Sequence, residues 1–232
     1  MNNFEILYEN SEVYVINKPA GVVVNRAITH DEETIQDFVE ENMNLEDPLE
    51  DDTSDFTSRS GIVHRLDKDT SGVLLAAKNR KSFEHLQAQF KDRTVSKTYI
   101  ALVYGQVNDQ KIEIKAPIGR NPRHRFKFAV VSEGKYAVTE IDKIKDVVIE
   151  SMKFTLLTVK PLTGRTHQIR VHLAALKHPV VNDPIYSSRK QLDVTSKFFD
   201  RMMLHAKCLT FNDPEDSMPK TVCAPLPDEF NL

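Results

Sequence analysis

The chain opens with FEILYENSEVYVINKPAGVVV, where two apolar runs, ILY and VYVIN, flank the polar ENSE. The alternation of Val13 and Val15 predicts a half-buried strand, ENSE a turn before it, and Lys18-Pro19-Ala20-Gly21 a break after it. Thr34 reads as the N-cap of a short helix whose apolar stripe is Ile35, Phe38 and Val39. Asn44 to Ser60 is acidic, polar and without period, which predicts an exposed loop. Val73 to Ala77 predicts a buried strand. Asn79 then caps a helix in which Phe83, Leu86 and Phe90 fall at i, i+3 and i+7. KTYIALVYG, Lys97 to Gly105, is apolar on both alternating faces and predicts a strand covered on both sides. Ala116 to Phe128 predicts a basic hairpin or loop, and Phe154 to Val159 a further strand. Thr163-Gly164 turns into the helix-like RTHQIRVHLAALK, starting near Thr166 and stopping before Pro179. Strands and helices mix without a βαβ rhythm, so the expected class is α+β with a mainly antiparallel sheet. With no internal repeat and no shift of composition, a single domain over residues 1–232 is expected.

Composition narrows the class. Apolar residues are 40% and charged residues 28% of the 232, the profile of a soluble globular chain with a core of its own. No run approaches the roughly 18 apolar residues of a membrane span. MNNFEILYEN lacks a cationic segment leading into an apolar one, so no signal peptide is read there and a reducing cytoplasm is the expectation. Cys208 and Cys223 are the two cysteines, too few for a disulfide framework or a four-cysteine zinc site, and both read as small core residues.

The net charge of −3 hides a split. Asp31 to Asp55 holds 12 acidic and no basic residues, whereas Thr57 to Val130 holds 15 basic against 6 acidic, a local net of +9. A local positive field of that kind suits phosphate recognition, and a remote acidic loop cancels the total without cancelling the field.

Two polar concentrations sit in apolar surroundings. In GIVHRLDKDTSGVLL, Gly61 to Leu75, charge is crowded immediately before a buried strand. It is either a charged turn or a carboxylate held at the rim of a sheet. In the helix that GRTHQIRVH opens, His167, Arg170 and Ala174 share one face, which aims Arg170 inward. A half-buried Arg needs an anion, and Asp67 is the most economical candidate; the alternative is an exposed helix with a cationic stripe. The histidines lack the spacing of a zinc site, no Gly-rich phosphate loop occurs, and Ser71 has no nucleophile-elbow context. Gly61, Gly72 and Gly164 read as turn residues.

HRLDKDTSG, His64 to Gly72, resembles the HRLDxxTSG signature of the RluA family of RNA pseudouridine synthases. INKPAG (16–21), RTVSKTYIALVYG (93–105), LTGRTHQIRVHLAALKHPVVND (162–183) and LHAKCLTFNDP (204–214) resemble the family's other motifs, in its order. The resemblance implies a pseudouridine synthase fold with a central RNA-binding cleft and no metal or organic cofactor. It implies that specific uridines of structured rRNA or tRNA are isomerised in the cytoplasm by a monomer. Asp67 takes the role of nucleophile. Arg170 pairs with it, holding its pKa down and fixing its orientation. Tyr99 stacks on the uracil and assists proton transfer at C5. Arg65 fills the gap left by the flipped base, while His64 and Leu66 orient the loop. Arg120, Arg123, Arg125 and Lys127 grip phosphates, and Arg165, His167 and Leu204 complete the substrate-binding set. Two departures stand out: the chain begins at the catalytic domain without the N-terminal S4-like module of many relatives, and Val24-Asn25-Arg26 stands where the first motif usually continues towards a Pro. Two other classes compete, a catalytically silent RNA-binding protein or RNA chaperone of the same fold, and a carboxylate glycosidase. The second needs two convergent carboxylates, and Asp67 and Asp69 alternate along one turn.

Overall fold

Alternating apolar positions and well-capped helices set the element order. The computed structural model describes residues 4–26, 32–42 and 54–232. Strands β1 (Glu5–Glu9) and β2 (Val13–Lys18) are followed by helices α1 (Ile35–Asn42) and α2 (Asp55–Ser58), strand β3 (Ser71–Ala77) and helix α3 (Arg80–Asp92). Strands β4 (Ser96–Tyr104), β5 (Lys111–Lys115), β6 (Ile118–Arg120), β7 (Phe128–Val130), β8 (Val138–Ile149) and β9 (Met152–Pro161) come next. Helices α4 (Gln168–Ala175) and α5 (Arg189–Thr195) and strands β10 (Leu204–Asn212) and β11 (Pro219–Cys223) complete the order. The chain divides into two units, one of residues up to Ser96 with Ala206–Pro225, the other of Lys97–His205 with Leu226–Leu232.

The first unit is built on antiparallel pairs β1–β2, β2–β3 and β10–β11. Asn10 shapes the β1–β2 turn, its Oδ1 accepting the Glu12 and Val13 N–H groups at 2.9 Å each, as an Asx-turn does. The predicted caps are present. Thr34 donates N–H and hydroxyl to the Asp37 carboxylate (2.7 and 2.6 Å) and accepts the Asp37 N–H in return. Asn79 accepts the Ser82 N–H at 2.9 Å. Phe83 and Leu86 of α3 bury against Val73, Leu75 and Ala77 of β3, Val13 and Val15 of β2, and Phe211. The segment Val23–Arg26 is tied to α1: Val23 and Val24 carbonyls accept the Ile35 and Gln36 N–H groups, and Arg26 pairs with Asp37 and Glu40.

Two expectations change here. Most of the acidic stretch from Asn44 lies outside the described residues, but its end is not an exposed loop: α2 forms a single turn capped by Ser54, and Phe56 is buried edge-on to Phe83. An aromatic placed there removes apolar area that a polar loop would leave in water. The cysteines are not core residues either. Cys208 and Cys223 face each other across β10 and β11 and form a disulfide, Cys223 exposed and Cys208 half-buried.

The second unit is an antiparallel sheet with β9 between β4 and β8, and β5 beyond β8. The β6–β7 hairpin is separate. Its core is Leu102, Val103, Phe154, Leu157, Val159, Ile169, Leu173 and Met203 with their neighbours. Every residue of α4 from Gln168 to Leu173 is buried. His167 caps this helix in the left-handed region, φ 54°, so the helix begins one residue after it.

Candidate active site

The loop from Gly61 to Gly72 leads into a strand whose seven residues are all buried, so the loop must reverse against packed backbone at both ends. Both glycines are required by that geometry. Gly61 (φ +74°) and Gly72 (φ +110°) lie in the left-handed region, and a Cβ would sit 2.0 Å from the Ala77 carbonyl oxygen and 2.1 Å from that of Ala206, respectively. They are more than turn residues: they let the loop approach two strands closer than any side chain permits.

Between them, His64 and Lys18 brace the loop. His64 Nε2 accepts the Leu75 N–H at 3.0 Å, and its ring stacks on Phe90 at 4.8 Å. Because Nε2 accepts, the proton of the neutral ring sits on Nδ1. Lys18 is wholly buried, and its ammonium donates to the carbonyls of Pro19, Val22 and Lys68 at 2.8, 2.8 and 2.9 Å. Gly21 N–H reaches the same Lys68 carbonyl at 2.9 Å. A buried cation is tolerable only when its donors are used, and here they stitch the INKPAG segment to the residue after Asp67. Leu66 and Thr70 are buried, Asp67 is half-buried between them, Thr70 N–H closes a turn on the Asp67 carbonyl at 3.1 Å, and Arg65 is exposed. Sequence reasoning missed the role of Lys18, for a lysine at a strand end is ordinarily a solvated one.

In the second unit, Arg170 is buried on α4, as expected from its helix face. Its Nε and Nη2 donate to the two carboxylate oxygens of Asp183 at 2.7 and 2.8 Å. Asp183 also accepts the N–H groups of Ile185 and Tyr186 at 2.9 and 3.0 Å, so its lone pairs are well used. This carboxylate was passed over in the sequence, where Asp183 stands only as the last residue of the motif 162–183. The Tyr186 ring lies 5.3 Å from the guanidinium carbon. The Tyr186 hydroxyl bonds His167 Nδ1 at 3.1 Å and accepts the Phe128 N–H at 3.1 Å. Arg170, Asp183, Tyr186 and His167 thus form one network that anchors the start of β7.

The hairpin itself carries the predicted cations. Arg120, Arg123 and Arg125 are exposed and Lys127 half-buried, its ammonium bonded to the Ile185 carbonyl. Tyr99 is half-buried on β4, opposite Val159. Lys97 precedes it by two on the same face; burial pushes the Lys97 ammonium pKa down, and Nζ lies 3.9 Å from where a Cβ would stand on Gly164. Arg165, beside that glycine, donates Nε to the Tyr136 carbonyl at 3.1 Å. Leu204 is buried in the second unit's core. Among the described residues, no group of three His, Cys, Asp or Glu side chains is placed to hold a metal ion, and no helix is long and apolar enough to cross a membrane.

The fold defines the class. It matches the human RNA Pseudouridylate Synthase Domain Containing 1 structure with a TM-score of 0.76 at 29% identity, over 97% of this chain and 84% of that one. The human domain-containing 4 structure matches in fold at a TM-score of 0.72 and 22% identity, over 97% and 90%. The family profile described as RNA pseudouridylate synthase matches residues 12–175. Uncharacterized RNA pseudouridine synthase YlyB of Bacillus subtilis is 38% identical over 98% of this chain and 71% of its own length. Ribosomal large subunit pseudouridine synthase D of Borreliella burgdorferi is 38% identical over 94% and 64%, and its namesake in Pseudomonas aeruginosa 38% over 97% and 69%. The chain therefore belongs to the RNA pseudouridylate synthase family, of the RluA type that its motifs resemble, and with it to the isomerases that act on RNA.

Proposed function

We propose that this chain converts specific uridines of structured rRNA or tRNA to pseudouridine, with Asp67 as the nucleophile. The observation that carries the reading is the braced loop: Asp67 is half-buried between the buried Leu66 and Thr70, with the Lys68 carbonyl held by Lys18 and the Leu75 N–H by His64. Preorganisation of that kind is what a reaction at a single sugar carbon needs. A carboxylate oxygen of Asp67 bonds to ribose C1′ as the C1′–N1 bond breaks, and uracil leaves as an anion. The base turns, C5 bonds to C1′ and the carboxylate departs. The C5 proton is removed with the assistance of Tyr99, and N1 takes up a proton, so that the product is an isomer of the substrate. An elimination route would use the same carboxylate as its base. Arg170, oriented by Asp183, is the cation that serves Asp67 in this scheme. Arg65 occupies the gap in the helix when the uridine is extracted, which offsets part of the few kcal/mol of unstacking. The names of the Borreliella and Pseudomonas relatives make large-subunit rRNA the first substrate to test.

Tritium release from RNA labelled at uracil C5 is the direct assay. Release from unmodified rRNA or tRNA by the wild type, absent with Asp67→Asn, is expected; release by both proteins would refute Asp67 as nucleophile. RNA affinity should also fall about 10³-fold between 50 and 200 mM salt if roughly six phosphates are contacted. A flat response would remove Arg120–Lys127 as the grip.

A further inference from the structure

Phe126 is the most exposed large apolar side chain among the described residues, at 67%. It stands at the tip of the β6–β7 hairpin between Arg125 and Lys127, with Arg123 and His124 just before it. The tip is a built turn. Asn121 N–H donates to the Lys127 carbonyl at 2.9 Å, and Lys127 N–H to the His124 carbonyl at 2.8 Å. Asn121 Oδ1 accepts the N–H groups of Arg123 and His124 at 2.9 and 3.1 Å. Arg120 Nη1 reaches the Arg125 carbonyl at 2.9 Å. The ring is flanked by its own neighbours, with Lys127 Nζ 5.7 Å from its centroid and the His124 ring centroid at 6.0 Å. Nothing in the packing of the unit requires an aromatic there, and leaving one in water forgoes the stabilisation of burial. An exposed aromatic framed by cations on a preformed turn matches a ligand that is at once anionic and flat.

We propose that Phe126 is a stacking platform for an unpaired base of the RNA substrate, in a nucleotide whose phosphates the surrounding Arg and Lys side chains neutralise. The inference rests on the RNA-binding reading above and adds a preference to it. A base within a duplex has both faces covered by its neighbours, so the platform selects loops, bulges and single strands.

The chain contains no tryptophan, so Phe126→Trp creates a single reporter at the platform. Titration with an RNA hairpin bearing an unpaired loop should quench its emission, and a fully paired duplex of matched length should not. Phe126→Ala should weaken loop-RNA binding about 5- to 150-fold, the equivalent of about 1–3 kcal/mol per stacked base, with an unchanged slope of log affinity against log salt. Arg123→Ala should instead reduce that slope by roughly 0.7–0.9. Phe126→Ala binding within twofold of the wild type, or Trp emission unchanged at saturating loop RNA, would overturn the platform while leaving RNA binding intact. Equal loss of affinity for loop and duplex would also overturn it. A wild type that binds neither RNA would overturn it together with the RNA-binding reading.

Discussion

Asp183→Ala isolates the interaction that positions Arg170. The Asp183 side chain is wholly buried and that of Arg170 3% exposed, and two charge-assisted bonds of 2.7 and 2.8 Å join them. Removing the carboxylate leaves a desolvated guanidinium without its bidentate partner and takes the acceptor from the Ile185 and Tyr186 N–H groups. Breaking a buried pair in this way costs about 3–5 kcal/mol. In a chain of this length each kcal/mol moves Tm by about 2–4 °C, so a fall of about 6–20 °C is expected. Urea and thermal unfolding followed by far-ultraviolet circular dichroism measure it, and tritium release measures activity on the same samples. Activity should be lost even where the variant is folded, because Tyr186, His167 and the start of β7 hang on the same carboxylate. The double variant Arg170→Met with Asp183→Leu removes both charges and should recover most of the stability without recovering activity. Asp183→Ala within about 0.5 kcal/mol of the wild type, less than an ordinary neutral hydrogen bond contributes, would refute the reasoning.

The remaining predictions are more local. Lys18→Met should destabilise the chain by about 1.5–3 kcal/mol, since three carbonyls lose a charged donor, and it should lower turnover more than RNA affinity; unchanged kinetics would detach the INKPAG segment from loop positioning. Burial lowers the pKa of His172, whose Nε2 donates to the Ala116 carbonyl and whose Nδ1 accepts from Thr139. The unfolded chain therefore binds a proton that the folded chain refuses. Stability should fall as pH drops below the ordinary 6.5 until the depressed folded value is passed, and carboxylates such as Glu12, held down by hydrogen bonds from Asn79 and Ser82, add their own loss as pH falls through their ordinary range. His172→Asn should flatten that window, and an unaltered profile would sink the assignment. Reducing the Cys208–Cys223 bridge, which closes a separation of 15 residues, should cost about 3 kcal/mol. Thiol titration of unfolded, unreduced protein should find no free thiol, and two free thiols would contradict the bridge.

Short-range signals were the legible ones. The alternation in VYVIN and KTYIALVY, the caps Thr34 and Asn79 and the stripe Phe83, Leu86, Phe90 each act within a few residues, and the elements they predict are present. Local reading also aimed Arg170 inward and placed Asp67 in a loop before a buried strand. The order of the motifs carried the family, because five of them in sequence specify more than any period does.

What escaped the sequence was decided by residues far apart along the chain. Lys18 is buried because a carbonyl 50 positions away needs its proton. Arg170 takes Asp183 because α4 and the following loop enclose both in one desolvated space. Gly72 is a glycine because the strand carrying Ala206 passes within van der Waals reach, and two cysteines bond because the β10–β11 register makes them opposite neighbours. A linear pattern records which side chains prefer burial, turn or cap. It does not record which charges will share a space without water, and that choice is made when distant segments pack and each buried polar group must find its partner.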